Sequence, residues 1–311
     1  MTTQAIILDI DGTLLNDDKK KFHQETKKAL ITAQENGVKL ILASGRPTTG
    51  MHAYAEQLEM EKHHGLLVSY NGAKVVDCAR SEELFNQALT VEEGKAVLEH
   101  MKQFKVKVMI DKEDYMYTND VYDCYVPYRG EEINIIQYES RGGNFKLCEK
   151  DDLAAFLDYR LSKILTAGDP AYMQKNYQAM MAPFKDTLNC VFTADFYFEF
   201  TAQGIDKAKA LDTVLTPMGI HAENIIAFGD GHNDITMVEY AGTGIAMQNA
   251  VAELKSCSKL RYFIQQRRRH CARAKQFNPK LRKKAEIQPF FMLYKNFFSF
   301  ILQKFSIFWY A

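Results

Sequence analysis

Ala5-Ile6-Ile7-Leu8-Asp9-Ile10-Asp11-Gly12-Thr13-Leu14 is the stretch that decides the fold. Its short apolar run ends at a glycine-marked turn, which predicts a strand buried on both faces. A second stretch has the same grammar: Ile225-Ile226-Ala227-Phe228 runs into Gly229-Asp230-Gly231-His232-Asn233-Asp234. In an open parallel sheet the ligand crevice lies at the carboxyl ends of the strands, so the two acidic turns are expected to meet there. Asp9, Asp11, Asp230 and Asp234 would then repel one another unless a hard cation sat among them. Mg²⁺ suits such an oxygen-rich setting, with phosphate oxygens and water completing its shell.

Working outward, residues 1–81 alternate strand and helix. A helix is expected from about Gln24 to Asn36, where Ala29, Leu30 and Ala33 recur at helical spacing, with Gly37 ending it. Val38–Ala43 reads as the next strand and ends at Ser44-Gly45-Arg46-Pro47; Leu66–Ser69 reads as a third, ending at Tyr70-Asn71-Gly72. This order predicts an α/β fold built on a parallel, Rossmann-like sheet. The pattern resumes over 201–254, with a helix after Lys207, a strand at 225–229, a helix near 233–241 and a short strand at 244–247. Between them, 82–200 reads as an inserted α+β domain with aromatic strands such as 106–110 and 196–200. The aromatic stripe 196–200 is expected to be strand core.

Composition excludes several classes. At 311 residues the chain can bury a sizeable core and is expected to hold two domains. Cys78, Cys124, Cys148, Cys190, Cys257 and Cys271 form no C-x-x-C pair, so neither a zinc ribbon nor a disulfide framework is indicated, and reduced thiols in a cytoplasm fit best. The apolar stretch before Asp9 is too short for a signal peptide. The formal net charge of zero conceals an asymmetry: residues 255–311 carry 14 Lys/Arg and one acid, Glu286, while residues 1–254 carry 25 bases and 38 acids. His63-His64 has no ligand partner at a convincing spacing, and His232 reads as exposed loop.

The two Asp turns, with Ser44 and Lys207 in order between them, resemble the haloacid dehalogenase superfamily, and within it the Cof-type phosphatases that include sugar phosphatases. The resemblance spans residue 1 to about 254 and includes all four superfamily motifs. It implies that Asp9 is the nucleophile forming an aspartyl-phosphate and that Asp11 is the general acid/base, with its backbone carbonyl in the metal shell. It further implies that Ser44 and the Gly45 amide hold the phosphoryl group, Lys207 offsets its charge, and Asp230 binds Mg²⁺ directly. Asp234 would support the metal, and Asn233 would orient the phosphate or the Lys207 ammonium. The family segment usually reads Gly-hydrophobic-x-Lys-Gly; here it is Gly204-Ile205-Asp206-Lys207-Ala208. Asp11 to Ser44 leaves room for one helix and one strand only. The insert therefore lies between the second and third motifs, in the Cof-type (C2) cap arrangement. Such a cap is expected to set the substrate by closing over it. Arg129, Asn144, Lys146 and Tyr177 are candidates for lining it, but each reads first as ordinary surface and none is assigned. The expected partner is a small phosphorylated metabolite, with no nucleic acid and no membrane.

After about Leu254 the resemblance stops. One choice of codons for residues 255–271 opens on a run of A; removing one A yields Lys-Ala-Val-Ala-Asn-Tyr-Val-Thr-Leu-Ser-Asn-Asn-Glu-Asp-Gly-Ile-Ala, a family-like continuation. The basic, aromatic tail over 255–311 is thus read as the product of a one-base insertion at Lys255. The rival readings are a nucleic-acid patch at Arg267–Arg269, or a membrane-surface segment at Phe290–Tyr310, which Lys295 and Lys304 interrupt. A frameshifted chain could be inactive or poorly folded, or a binding protein that uses its basic tail.

Overall fold

The computed structural model describes residues 3–15, 22–128, 130–258 and the backbone of 260–261. Most of the tail, and with it the frameshift reading, lies outside the described residues, as does Arg129.

The first segment gives β1 (Ala5–Leu8), α1 (Gln24–Glu35), β2 (Lys39–Ala43), α2 (His52–Gln57) and β3 (Leu66–Ser69). Antiparallel β4 (Lys74–Asp77) and β5 (Glu82–Asn86) follow. The insert contains α3 (Val91–Met101), β6 (Lys107–Lys112), β7 (Tyr115–Thr118), β8 (Tyr125–Tyr128), β9 (Glu131–Asn134) and α4 (Ile135–Gly143). It continues with β10 (Lys146–Glu149), α5 (Leu153–Phe156), β11 (Ile164–Ala167), α6 (Pro170–Met181), β12 (Leu188–Ala194) and β13 (Tyr197–Ala202). The chain then returns through α7 (Lys207–Leu215), β14 (Ile225–Gly229), α8 (Ile235–Tyr240), β15 (Thr243–Ala246), α9 (Ala252–Cys257) and β16 (Leu260–Arg261).

The larger sheet runs β16-β15-β14-β1-β2-β3-β4-β5 and is parallel from β16 to β3. Side-chain alternation sorts its two faces. Ala5, Ile7, Ile41 and Val68 pack with Ala210, Leu211 and Val214 of α7. Ile6, Leu8, Leu40 and Leu42 pack with Leu30 and Ala33 of α1 and Ala55 of α2. With helices on both faces, the central strands must be apolar throughout, and every residue of β1, β3 and β14 is buried.

Residues 82–86, read from sequence as part of the insert, form β5 at the edge of this larger sheet. Their sequence, exposed at Glu82, Glu83 and Asn86 and only half-buried at Leu84 and Phe85, is that of an edge strand rather than a buried one, which is why it did not read as core. The insert's own sheet runs β10-β7-β6-β11-β13-β12. Val108, Ile110, Ile164, Phe198 and Phe200 face α3 and α6; Met109, Leu165, Ala167 and Tyr197 face α4. A small β8–β9 hairpin stands apart from it.

Candidate active site

The turn after β1 and the turn after β14 are neighbours because their strands pair in register, Leu8 opposite Phe228. Gly12 lets them approach. Its φ is +89°, and a Cβ there would collide with the Asp230 carboxylate. The next residue completes the join: Thr13 Oγ1 donates to Asp230 Oδ1 at 2.9 Å. Asn249 Nδ2 donates to Asp230 Oδ2, also at 2.9 Å, and to the Gly12 carbonyl at 3.0 Å. Thr13 and Asn249 were not among the expected site residues. Thr13 stood inside the motif itself, whereas Asn249 sits in the segment after β15, where no local pattern marks it.

Lys207 begins α7, held there by Asp206, whose side chain accepts from Lys209 N–H as N-cap. The Lys207 ammonium is fully buried and donates to Asp9 Oδ1 at 3.0 Å, the Ala43 carbonyl at 3.0 Å and Asp234 Oδ1 at 2.6 Å. All three of its N–H donors are thus matched. Lys209 points elsewhere, toward Gln87 and the Gly204 carbonyl. Burial alone would lower the Lys207 pKa, but Asp9 and Asp234 outweigh it and hold the ammonium charged. Burial also pushes the Asp9 carboxyl up, to about 7, against the pull of Lys207. Asp230 is raised too, chiefly by burial.

Asp9, Asp230 and Asp234 offer carboxylate oxygens within 4.8 Å of one another. Their occupancy differs. Asp234 Oδ2 accepts the N–H groups of Asp230 and Gly231, both at 2.9 Å, and its Oδ1 faces Lys207. Asp9 Oδ2 accepts no hydrogen bond among the described residues. Carboxylates crowded by burial into an all-oxygen set, with an acceptor left open, fit a hard divalent cation. The Asp11 carboxylate does not join this group. Arg46 grips it with both arms, Nε to Oδ2 at 2.6 Å and Nη2 to Oδ1 at 2.8 Å, and the guanidinium lies over the Tyr54 ring at 5.3 Å. Arg46 was quoted in the sequence only as the end of a strand. Nothing local says that its side chain reaches back 35 residues.

Ser44 lies at the end of β2 with its N–H on the Val68 carbonyl at 2.8 Å, and its hydroxyl accepts from Arg46 N–H at 3.2 Å. Ser44 and Gly45 border the same cleft as Asp9 and Asp11. Asn233 does not reach Lys207; its Nδ2 donates to Asn71 Oδ1 at 2.9 Å. Asn71, in the left-handed turn after β3 at φ 59°, is a further site neighbour that the sequence reading passed over. Asn144 borders the cleft, whereas Lys146 pairs with Asp114 at the surface and Tyr177 packs on Phe192 and Phe198. His64 approaches Asp77 at 3.2 Å and His232 approaches Glu253 at 3.6 Å, and neither is among the residues bordering the cleft. Within the aromatic stripe, Phe198 and Phe200 are core, while Phe196 and Tyr197 also border the cleft.

The cleft, about 1420 Å³, lies between these loops and the insert. Among the described residues no helix is long and apolar enough to cross a membrane.

A family model for haloacid dehalogenase-like hydrolases matches residues 6–262, slightly beyond the point where the sequence resemblance was judged to stop. The chain is 30% identical over 249 residues to a 5-amino-6-(5-phospho-D-ribitylamino)uracil phosphatase of Bacillus subtilis, YcsE, covering 79% of this chain and 84% of that protein. It is 27% identical over 259 residues to a pyridoxal phosphate phosphatase of Escherichia coli, YbhA, covering 82% and 92%. The crystal structure of a haloacid dehalogenase-like hydrolase from Bacteroides thetaiotaomicron superposes with a TM-score of 0.77 at 28% identity, covering 84% of this chain and 94% of that one.

Proposed function

The chain belongs to the haloacid dehalogenase-like hydrolase family and is a phosphatase of small phosphorylated metabolites; from that premise we propose a Mg²⁺-dependent phosphomonoesterase working through an aspartyl-phosphate, with sugar phosphates as substrates. The observation that carries the mechanism is the asymmetry of Asp9, a residue that borders the cleft: Lys207 pins Oδ1, and Oδ2 is left without a hydrogen bond among the described residues. One oxygen is fixed and the other is available to attack.

In this reading Asp9 Oδ2 forms a bond to phosphorus as the ester P–O bond breaks. Asp11, leaving the Arg46 fork, delivers a proton to the departing alkoxide. Water then attacks the phosphorus of the aspartyl-phosphate and gives its proton to Asp11, the P–O bond to Asp9 breaks, and inorganic phosphate leaves. The Ser44 hydroxyl and the Gly45 amide donate to phosphoryl oxygens, and Lys207 offsets the charge that builds on them. Mg²⁺ would be held by Asp9, Asp230 and the Asp11 carbonyl, with Asp234 positioning the set; when bound, it supplies charge neutralisation for the phosphoryl group. Asn233 is assigned to support of the Asn71 turn beside Gly45. The insert acts as a cap over the cleft. Cys78, Cys124, Cys148, Cys190 and Cys257 are free thiols, which supports a cytoplasmic setting.

The test is hydrolysis of p-nitrophenyl phosphate with Mg²⁺, with EDTA, and by Asp9→Asn. Turnover should need the metal and fall by more than about a hundredfold in Asp9→Asn, a barrier increase of roughly 3 kcal/mol or more. Full activity in chelator, or a smaller loss in the variant, sinks the corresponding assignment.

A further inference from the structure

The cleft has two faces, and the phosphoryl chemistry is confined to one of them. The opposite face is built by α4 and its neighbours. α4 buries Ile135, Ile136, Ser140 and Gly143 in the insert. Its end is fastened to the core where Thr49 Oγ1 donates to the Gly143 carbonyl at 2.6 Å. Residues 134, 137, 138 and 141 border the cleft, a helical spacing that makes one polar stripe.

Glu139 is the unusual residue on this helix. It borders the cleft and also a buried void of about 10 Å³ shared with Tyr70, Asp111 and Lys163. Its Oε2 accepts from Tyr197 Oη at 3.1 Å. Its Oε1 has no hydrogen bond among the described residues. Burial would lower the Lys163 pKa, but Glu199 and then Glu139 reverse this and keep the ammonium charged. Glu139 therefore presents an oriented carboxylate with one oxygen fixed and one still able to accept. Beside it, Tyr128 meets Tyr138 at 5.4 Å and Phe196 at 5.7 Å between ring centroids, an aromatic surface that borders the same cleft.

An acceptor-only carboxylate recognises hydroxyl or N–H donors, and ring faces take up the C–H surface of a compact ring or chain. With the phosphate held at the core loops, the rest of an ester would extend into the cleft that these groups border. We propose that Glu139 is the specificity-determining residue for the leaving group, its carboxylate accepting hydrogen bonds from the hydroxyls of a phosphorylated sugar or polyol laid against the Tyr128–Tyr138–Phe196 surface. This rests on the phosphatase reading and extends it to a particular residue.

The experiment compares kcat/KM of the full chain with Mg²⁺ on hexose 6-phosphates, hexitol 6-phosphates, propyl phosphate, pyridoxal 5′-phosphate and p-nitrophenyl phosphate. The best polyhydroxylated ester should exceed propyl phosphate by at least about tenfold. That ratio should fall by at least about tenfold in Glu139→Leu, with Glu139→Asp between, because a site built to bond hydroxyls loses its discrimination with the acceptor. A ratio unchanged in Glu139→Leu overturns the proposal, as does pyridoxal phosphate outrunning every sugar ester. If the variants do not fold, single-deoxy analogues on the wild-type chain decide: one hydroxyl should matter by about tenfold, and no loss with any analogue overturns the assignment. A wild-type chain that hydrolyses p-nitrophenyl phosphate but shows no preference for hydroxylated esters defeats this proposal alone. A chain inactive on all of them defeats the phosphatase reading and this proposal with it.

Discussion

At the scale of single residues, Lys207 organises the site as a cation buried between Asp9 and Asp234. Removing it leaves two carboxylates facing each other without compensation. Lys207→Met is expected to lower kcat by at least about a hundredfold and, in metal-free buffer, to cost roughly 3–5 kcal/mol of stability, read by denaturant unfolding. A loss of activity with no loss of stability would mean the ammonium does not hold the carboxylates together. The pKa of Asp9, raised by burial to about 7 from an ordinary carboxyl value of 3.8, sets a pH dependence. A carboxyl whose folded pKa lies above its unfolded value favours the folded chain at low pH, and that contribution is lost as pH rises through the folded value. Metal-free protein should therefore lose stability between about pH 4 and pH 7. Mg²⁺ binds the ionised form, so the rise in Tm on adding Mg²⁺ should be larger at about pH 8 than at about pH 5.5. Melts at the two pH values with and without the metal check this; equal rises would show that no cation binds at Asp9.

At the scale of elements, the acidic turn after β1 works only because Gly12 adopts a left-handed backbone against Asp230. Gly12→Ala should shift Asp230 and lower kcat by about a hundredfold with the sheet intact by circular dichroism. The helices of the insert are more tolerant. Thr90 opens α3 with a capping box, accepting from Glu93 N–H while Glu93 accepts in return from Thr90 N–H. Thr90→Ala should cost about 1 kcal/mol and leave kcat as it was. How far the sequence disclosed these elements follows from how local their signals are. β1, β2, β3 and β14 were legible because burial on both faces demands uninterrupted apolar runs, and α1 because its buried positions recur every turn. Residues 82–86 were grouped with the insert because an edge strand such as β5 needs no such run. Among site residues, Asp9, Ser44 and Asp230 sit directly beyond strand ends, where a motif can be read along the chain. Arg46, Asn71 and Asn249 act through side chains reaching residues 35, 162 and 237 positions away, and no window of sequence contains both partners. Glu139 is hidden for the same reason: its partner Tyr197 is 58 residues on.

For the whole molecule, β16 lies beside β15 at the edge of the larger sheet, pairing through Leu260 and Arg261 among the described residues. On the frameshift reading, a one-base deletion at codon 255 would exchange the sequence from there on for the family-like continuation. Burial of a further closing element contributes several kcal/mol, at about 25 cal/mol per Å² of apolar area. The repaired chain is expected to melt higher, express in greater soluble yield and show greater specific activity. Equal or better behaviour of the present chain would make the basic tail a working part of the protein. The pairing of β1 with β14 has its own consequence for how the molecule comes into being. The two acidic turns are joined across 217 residues, at Thr13 and Asp230, and Lys207 is 198 residues from Asp9. During synthesis the nascent chain displays Asp9 long before Lys207 leaves the ribosome, and the insert, rich in antiparallel neighbours, can fold in between. Closing so long a loop is entropically slow. On refolding, the ability to bind Mg²⁺ should therefore appear last, after the signals from the insert's aromatic residues have settled, so that the cation reads out completion of the chain rather than guiding its start.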